Sequence, residues 1–219
     1  MKAPTSEDKV IVYGASGHGK VVADILRSRR MEIEGFVDDD PFKGREASDL
    51  KILGDAKWLA ERAGRQPVVV ALGIGDNFDR HAIVQRCVKT GIRLLTAVHP
   101  SATIATSAKI SPGVVIMAHA VVNADAVIGC GSIINTAAIV EHDCDVGSFA
   151  HLSPNVAIGG HVQVGDFSWL GIGSTVISNI KVGTGSIVGA GATVVHDVDD
   201  WVVAVGTPAR ILKKLEPRI

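Results

Sequence analysis

Residues 122–146 read VNADAVIGCGSIINTAAIVEHDCDV. Val122, Ile128, Ile134, Val140 and Val146 fall at every sixth position of this stretch. The phase runs on in both directions without a slip, through Ile104, Ile110 and Ile116 before it and Leu152, Ile158, Val164, Leu170, Val176, Val182, Val188 and Val194 after it. The position four after each aliphatic residue is mostly small, as at Ala126, Ser132, Ala138, Cys144, Ala150 and Ser168. Glycine often follows the aliphatic residue directly, at Gly129, Gly147, Gly159, Gly165 and Gly183. A six-residue period fits neither an α-helix nor a hairpin. It fits a prism, in which each hexapeptide makes one short strand and one corner. The aliphatic residue points inward, the small residue fits near the corner, and glycine is expected to relieve backbone strain there. Three faces close a coil, and coils stack at about 4.8 Å. Roughly five such coils would bury one apolar column against the next.

The chain before this repeat has another pattern. Lys9–Tyr13, Ile33–Val37, Pro67–Leu72 and Ile92–Ala97 read as strands. Lys20–Arg29, Asp55–Ala63 and Asp79–Thr90 read as helices. Strands alternating with helices predict a parallel sheet with crossovers, a small Rossmann-like domain over residues 1–97. The β-helix domain then occupies residues 98–219. After Val194, Thr207 suits an N-cap and Pro208 a first helical residue, so a short C-terminal helix from Pro208 into Ile211-Leu212-Lys213-Lys214-Leu215 is expected to cover the open end of the prism.

Bulk properties narrow the function. The net charge is −1 over 219 residues, which argues against a nucleic-acid or polybasic membrane role. No stretch approaches a membrane span, and the start MKAPTSEDK is polar, unlike a signal peptide. The three cysteines, Cys87, Cys130 and Cys144, lack CxxC spacing and read as reduced thiols of a cytoplasmic protein.

GASGHGKV, Gly14–Val21, follows the first strand and comes close to a phosphate-binding P-loop. A P-loop needs a hydroxyl after the lysine to ligate Mg²⁺, and Val21 has none. The dinucleotide pattern G-x-G-x-x-G also fails, because Ser16 and Val22 stand at glycine positions. A Gly-rich turn into a helix still offers backbone N–H groups to a phosphate. Asp38 and Asp39 end the second strand, where a carboxylate can accept from a ribose hydroxyl or a base N–H. A tight turn and an exposed acidic loop would account for the same residues without a ligand.

The repeat resembles the left-handed parallel β-helix of the hexapeptide acyltransferases. With GASGHGK before it, and with Gly75-Asp76-Asn77, Val98-His99-Pro100, Ile134-Asn135-Thr136 and Val140-Glu141-His142-Asp143-Cys144, essentially the whole chain resembles the sugar O/N-acyltransferases of the sialic-acid O-acetyltransferase and bacillosamine and perosamine N-acetyltransferase group. The resemblance implies a left-handed helix, which the general crossover rule would not. It also implies an N-terminal domain that binds the nucleotide of a nucleotide-linked amino sugar through Gly17, His18, Asp38 and Asp39. It further implies acetyl-CoA as cosubstrate, and a homotrimer with active sites between subunits. Asn135 would help hold the amino sugar.

Five histidines of the second domain are candidates for catalysis: His119, His142, His151, His161 and His196. His142 stands out because Glu141 and Asp143 flank it. A corner histidine beside a carboxylate can be oriented as a general base, and Glu141 is the preferred orienting residue, with Asp143 second. One coil above His142 comes Gly160, whose N–H could polarise an acetyl carbonyl. His151 lies half a coil round, so it shares a site with His142 only if two chains form that site. Cys144 falls in the small-residue column and reads as packed rather than nucleophilic. His151, Gly160, Gly206, Arg210 and Lys213 are candidates for coenzyme A contacts. The reaction expected is N-acetylation of a nucleotide-linked 4-amino-4,6-dideoxy sugar, in glycan biosynthesis and without a metal. Alternatives are sialic-acid-type O-acetylation, a γ-carbonic-anhydrase-like zinc enzyme, for which the close His-x4-His pair is missing, and a non-catalytic scaffold.

Overall fold

The computed structural model describes residues 9–40 and 49–218. The polar segment before residue 9, for which no signal peptide is expected, lies outside the described residues, as do residues 41–48. The chain divides into two compact units, Met1–Pro100 and Ser101–Ile219.

The first unit holds β1 (Val10–Tyr13), α1 (Gly17–Ser28), β2 (Ile33–Val37), β3 (Ile52–Gly54), α2 (Ala56–Ala63), β4 (Val69–Leu72), α3 (Asn77–Lys89) and β5 (Arg93–Leu94). The strands form a parallel sheet in the order β3-β2-β1-β4-β5. β1 and β4 are buried throughout, as central strands covered on both faces must be. α1 buries Val22, Ala23, Ile25 and Leu26 on one side. Asp55 caps α2 by accepting from Trp58 N, and Asp76 caps α3 by accepting from Phe78 N and Asp79 N. β3 carries only Ile-Leu-Gly, too short to announce itself by alternation. Because successive strands leave β1 to one side and then β4 to the other, a crevice opens outside their carboxyl ends.

The second unit is a parallel β-helix of two-residue strands separated by four-residue corners. The first face carries Thr103–Ile104, Val121–Val122, Ile139–Val140, Ala157–Ile158, Thr175–Val176 and Thr193–Val194. The second carries Lys109–Ile110, Val127–Ile128, Asp145–Val146, Gln163–Val164 and Lys181–Val182. On the third face Val115–Ile116, Ile133–Ile134, His151–Leu152, Trp169–Leu170 and Ile187–Val188 follow one another. Register is constant: Val122 pairs Val140, Ile128 pairs Val146, and Ile134 pairs Leu152. The inward column is almost wholly dry, with Val122, Ile128, Ile134, Val140, Val146 and Leu152 at 0 % exposure. Only its first two members, Ile104 and Ile110, are half-buried.

The glycines work differently from the sequence expectation. Those that follow the aliphatic column do not sit in the left-handed region. They leave room for the next coil: a Cβ on Gly129 would lie 2.5 Å from Ser148 N, and one on Gly165 would lie 2.5 Å from Thr184 N. From Gly113 to Gly191 the left-handed position is the third residue of each corner, and side chains occupy many of these. Asp125, Asp143, His161 and Asn179 hold it along one corner column, with φ of 58, 58, 59 and 64. Asp, Asn and His tolerate this region better than most residues. Phe149 and Phe167 hold it along another, and their rings stack at 5.3 Å. The small-residue column supplies hydroxyls to corner carbonyls, as where Ser132 Oγ donates to Gly147 O at 2.7 Å.

The expected C-terminal helix does not form. Arg210–Lys214 is a strand, antiparallel to Val202–Val205, and Thr207 and Pro208 sit in the turn between them. Val202–Val205 continues the third face beside Ile187–Val188 and leaves one row of backbone groups to satisfy. Five residues of returning strand satisfy them, whereas a helix this short is marginal in water. Gly206, at φ 97, makes the reversal possible.

Candidate active site

In the crevice of the first unit, Gly14, Gly19 and Gly73 pack against one another. A Cβ on Gly19 would lie 1.9 Å from Gly14 O, and one on Gly73 would lie 2.8 Å from it. The glycines of GASGHGK thus let the β1–α1 turn, α1 and the β4–α3 turn touch. Gly17 opens α1, and a Cβ there would meet nothing within 4 Å. Ser16 makes no side-chain cap and the first turn carries no acidic residue, so the α1 N-terminus suits an anion.

Asp38 and Asp39 are already engaged. Asp38, 8 % exposed, accepts from Ala15 N at 2.8 Å and from Asp40 N at 2.9 Å. It holds the Gly-rich loop in shape. Asp39 accepts from Tyr13 Oη, Ala56 N and Arg86 Nη1. Further acceptor capacity remains on both carboxylates, since each oxygen has two lone pairs. His18 Nε2 is buried without a hydrogen-bond partner. Burial, with Arg80 nearby, pulls its pKa down to about 4, so the ring is neutral. Arg80 itself is fully buried and donates to the carbonyls of Ile74, Gly75 and Asp76 and to Asn77 Oδ1. It fixes the β4–α3 turn. Nothing in the sequence singles it out, because one arginine in a helix pattern reads as solvated.

On the β-helix, Glu141, His142, Asp143 and Cys144 make one corner between the first and second faces. His142 Nδ1 donates to Asp143 Oδ2 at 2.7 Å. The carboxylate bonded to the ring is therefore Asp143 and not Glu141, the residue preferred from the sequence. The left-handed backbone at Asp143 brings its short side chain back to the preceding ring. Glu141 N is tied to Ile158 O in the ladder, and among the described residues its carboxylate makes no bond to His142. With Nδ1 protonated, Nε2 of the neutral ring is an acceptor. The Asp143 carboxyl lies below its ordinary pKa, chiefly through the His142 hydrogen bond and then through His161 and the charge of His142.

One coil above, Gly160 is buried directly against that ring. A Cβ there would lie 2.7 Å from both Cε1 and Nε2 of His142. Gly160 O accepts from Asn179 N, and among the described residues Gly160 N–H donates to no backbone carbonyl. His161 follows Gly160; its N–H donates to His142 O at 3.1 Å, and its Nε2 lies 3.6 Å from Asp143 Oδ2. The His142 and His161 rings meet edge to face at 5.4 Å. The repeat of three hexapeptides per coil sets His161 one coil above Asp143, and that count is the signal that could have found this contact. Cys144 Sγ donates to Gly159 O at 3.1 Å, the same bond Ser132 makes to Gly147, and burial raises its thiol pKa. It is a packing residue.

Asn135 and His151 form a separate pair. Asn135 Nδ2 donates to His151 Nε2 at 3.0 Å, and the His151 ring stacks on Trp169 at 6.0 Å. They belong to the third face and its corner, not to the corner of His142. Register extends this face from Ile133 through His151, Trp169, Ile187 and Val203 to Lys213. Arg210 pairs Val205 on the same returning strand, and both basic residues are exposed.

A Rossmann-like parallel sheet with an anion-suited switch point, followed by hexapeptide coils that offer an acceptor imidazole beside a free N–H, defines the fold and site of a hexapeptide-repeat acyltransferase. Comparison with known proteins agrees. The PglD N-terminal domain family matches residues 9–87. The chain is 38 % identical over 110 residues to UDP-N-acetylbacillosamine N-acetyltransferase of Bacillus subtilis (strain 168), a stretch covering 50 % of this chain and 51 % of that relative. Among solved structures, PerB from Caulobacter crescentus, in complex with CoA and GDP-perosamine, is 37 % identical with a TM-score of 0.90, over 96 % of this chain and 100 % of that one. The acetyltransferase domain of PglB from Neisseria gonorrhoeae FA1090, in complex with acetyl coenzyme A, is 34 % identical with a TM-score of 0.86, over 93 % and 98 %. The chain belongs to the hexapeptide-repeat sugar acyltransferases of the bacillosamine and perosamine N-acetyltransferase group.

Proposed function

We propose that the protein transfers the acetyl group of acetyl-CoA to the amine of a nucleotide-linked 4-amino-4,6-dideoxy sugar, with His142 as general base. The observation that carries this reading is the 2.7 Å bond from His142 Nδ1 to Asp143, with Gly160 against the other edge of the ring. Asp143 holds the tautomer in which Nε2 accepts. As the amine nitrogen bonds to the thioester carbon, His142 Nε2 takes its proton. Gly160 N–H stabilises the oxyanion. The C–S bond then breaks, and the proton passes to sulfur as coenzyme A leaves as the thiol. No covalent acyl-enzyme is required, in keeping with a packed Cys144.

The first unit holds the nucleotide. The α1 N-terminus with Gly17 faces a diphosphate, and neutral His18 serves as a hydrogen-bonding group rather than a counter-ion. Asp38 shapes the loop, and Asp39 offers its remaining lone pairs. Asn135 and His151 act in a site completed by a second chain, since within one chain they stand on a different corner from His142. This supports a homotrimer with sites between subunits. Gly206, Arg210 and Lys213 form the basic hairpin that meets coenzyme A phosphates. Three free thiols, and no helix among the described residues long and apolar enough to cross a membrane, fit a cytoplasmic enzyme of glycan biosynthesis.

The test is acetyl transfer from acetyl-CoA to a panel of nucleotide-linked amino sugars and their hydroxy counterparts. Turnover confined to the amines is expected. Turnover of the hydroxy sugars instead, or normal turnover by His142→Asn, overturns the proposal.

A further inference from the structure

Asp143 Oδ2 contacts two imidazoles, His142 Nδ1 at 2.7 Å and His161 Nε2 at 3.6 Å. One nitrogen from each ring and one carboxylate oxygen all lie within 4.8 Å of one another. The backbone prepares this convergence. Asp143 and His161 share the left-handed corner position in successive coils, and His161 N–H is bonded to His142 O. Metal–ligand bonds of about 2.0–2.1 Å in a tetrahedral site place neighbouring donors about 3.3 Å apart. The two spacings to Asp143 bracket that value, and the third, between the rings, is no more than 4.8 Å, so modest side-chain shifts would let an ion enter. All three residues are exposed, which leaves water to complete the coordination. Two imidazole nitrogens with one carboxylate suit Zn²⁺ and its neighbours, whereas Mg²⁺ and Ca²⁺ prefer all-oxygen sites.

We propose that His142, Asp143 and His161 bind one divalent transition-metal ion of the Zn²⁺ class, and that the bound ion silences acetyl transfer. The silencing follows from the tautomer. In the metal-free ring, Nδ1 carries the proton and Nε2 the lone pair. A metal on Nδ1 takes that nitrogen's lone pair and forces the ring proton onto Nε2. Nε2 then donates and cannot receive a proton from the amine. This second half rests on His142 being the base; binding of the ion does not. The site is thus a brake that free zinc can set and a chelator can release, distinct from any catalytic metal.

The experiment titrates Co²⁺ and then Zn²⁺ into the purified full-length protein, with Mg²⁺ as control. It reads the visible absorption of bound Co²⁺ and its displacement by Zn²⁺. N-acetylated product is followed in parallel with free zinc fixed by a metal buffer. One equivalent per chain is expected, with no response to Mg²⁺. His161→Gln should weaken zinc binding by at least about tenfold, continue to turn over, and lose its sensitivity to zinc. An unaltered titration in His161→Gln, or no saturable binding up to about 1 mM, overturns the site. Zinc binding through His161 that leaves turnover intact overturns the silencing, while turnover by His142→Asn decides separately whether His142 is the base.

Discussion

His18 and His142 are the same side chain in opposite surroundings. His18 lies in the crevice of a parallel sheet, with Nε2 buried and unpartnered and its charge suppressed by desolvation. His142 stands on an exposed corner, with one nitrogen tied to Asp143 and the other beside Gly160. Burial fixes a charge state; a neighbouring carboxylate fixes a tautomer. The first suits recognition of a neutral or acceptor-bearing group, and the second suits proton transfer.

The sharpest way to break this contrast is His142→Asn. On the proposal that His142 is the base, kcat/KM should fall by about 10³-fold while the far-UV spectrum stays unchanged. The matching measurement at the other histidine is stability against pH. Neutral His18 contributes stability that is fully present above the unfolded value of 6.5 and is lost as pH falls toward about 4, worth at most about 3 kcal/mol. Urea unfolding of His18→Gln should lack that part of the acid loss; an identical pH profile would show that His18 is not held neutral by burial. Gly160→Ala keeps the N–H and adds one methyl at 2.7 Å from the imidazole. A loss of about tenfold to a hundredfold in kcat, with intact folding, would confirm that ring placement matters there. Asp143→Asn should cost about tenfold in kcat/KM, and Glu141→Gln less than about twofold. The reverse order would restore Glu141 as the orienting residue. Smallest is Lys213→Ala, for which KM for acetyl-CoA should rise about threefold at low salt, with the difference fading at high salt.

Periodicity makes the β-helix legible. Ile104 to Val194 at every sixth place leaves one reading, and the inward column is buried as that reading requires. The alternation of strands and helices likewise points to the first sheet, apart from the three residues of β3. Corners are harder. Which carboxylate meets His142 depends on the backbone turning left-handed at Asp143, and neither propensity nor spacing states a dihedral. The glycines are conspicuous yet ambiguous, because a close approach between coils and a positive φ leave the same letter in a sequence. At the C-terminus, Ile211-Leu212-Lys213-Lys214 suits a helix turn or a strand equally. The edge of Val202–Val205 decides for the strand.

The constant register of the coils has a consequence for how this enzyme can vary. Glu141–Cys144 is stacked under Gly159–Val162, and every bond between them assumes an unbroken count of residues. Deleting one residue between the two corners would turn each following inward side chain to the outside and slide Gly160 off the imidazole. Chemistry at this corner is therefore free to drift by substitution but not by length. Insertions and deletions in descendants of this chain should fall in whole coils, or outside the prism altogether.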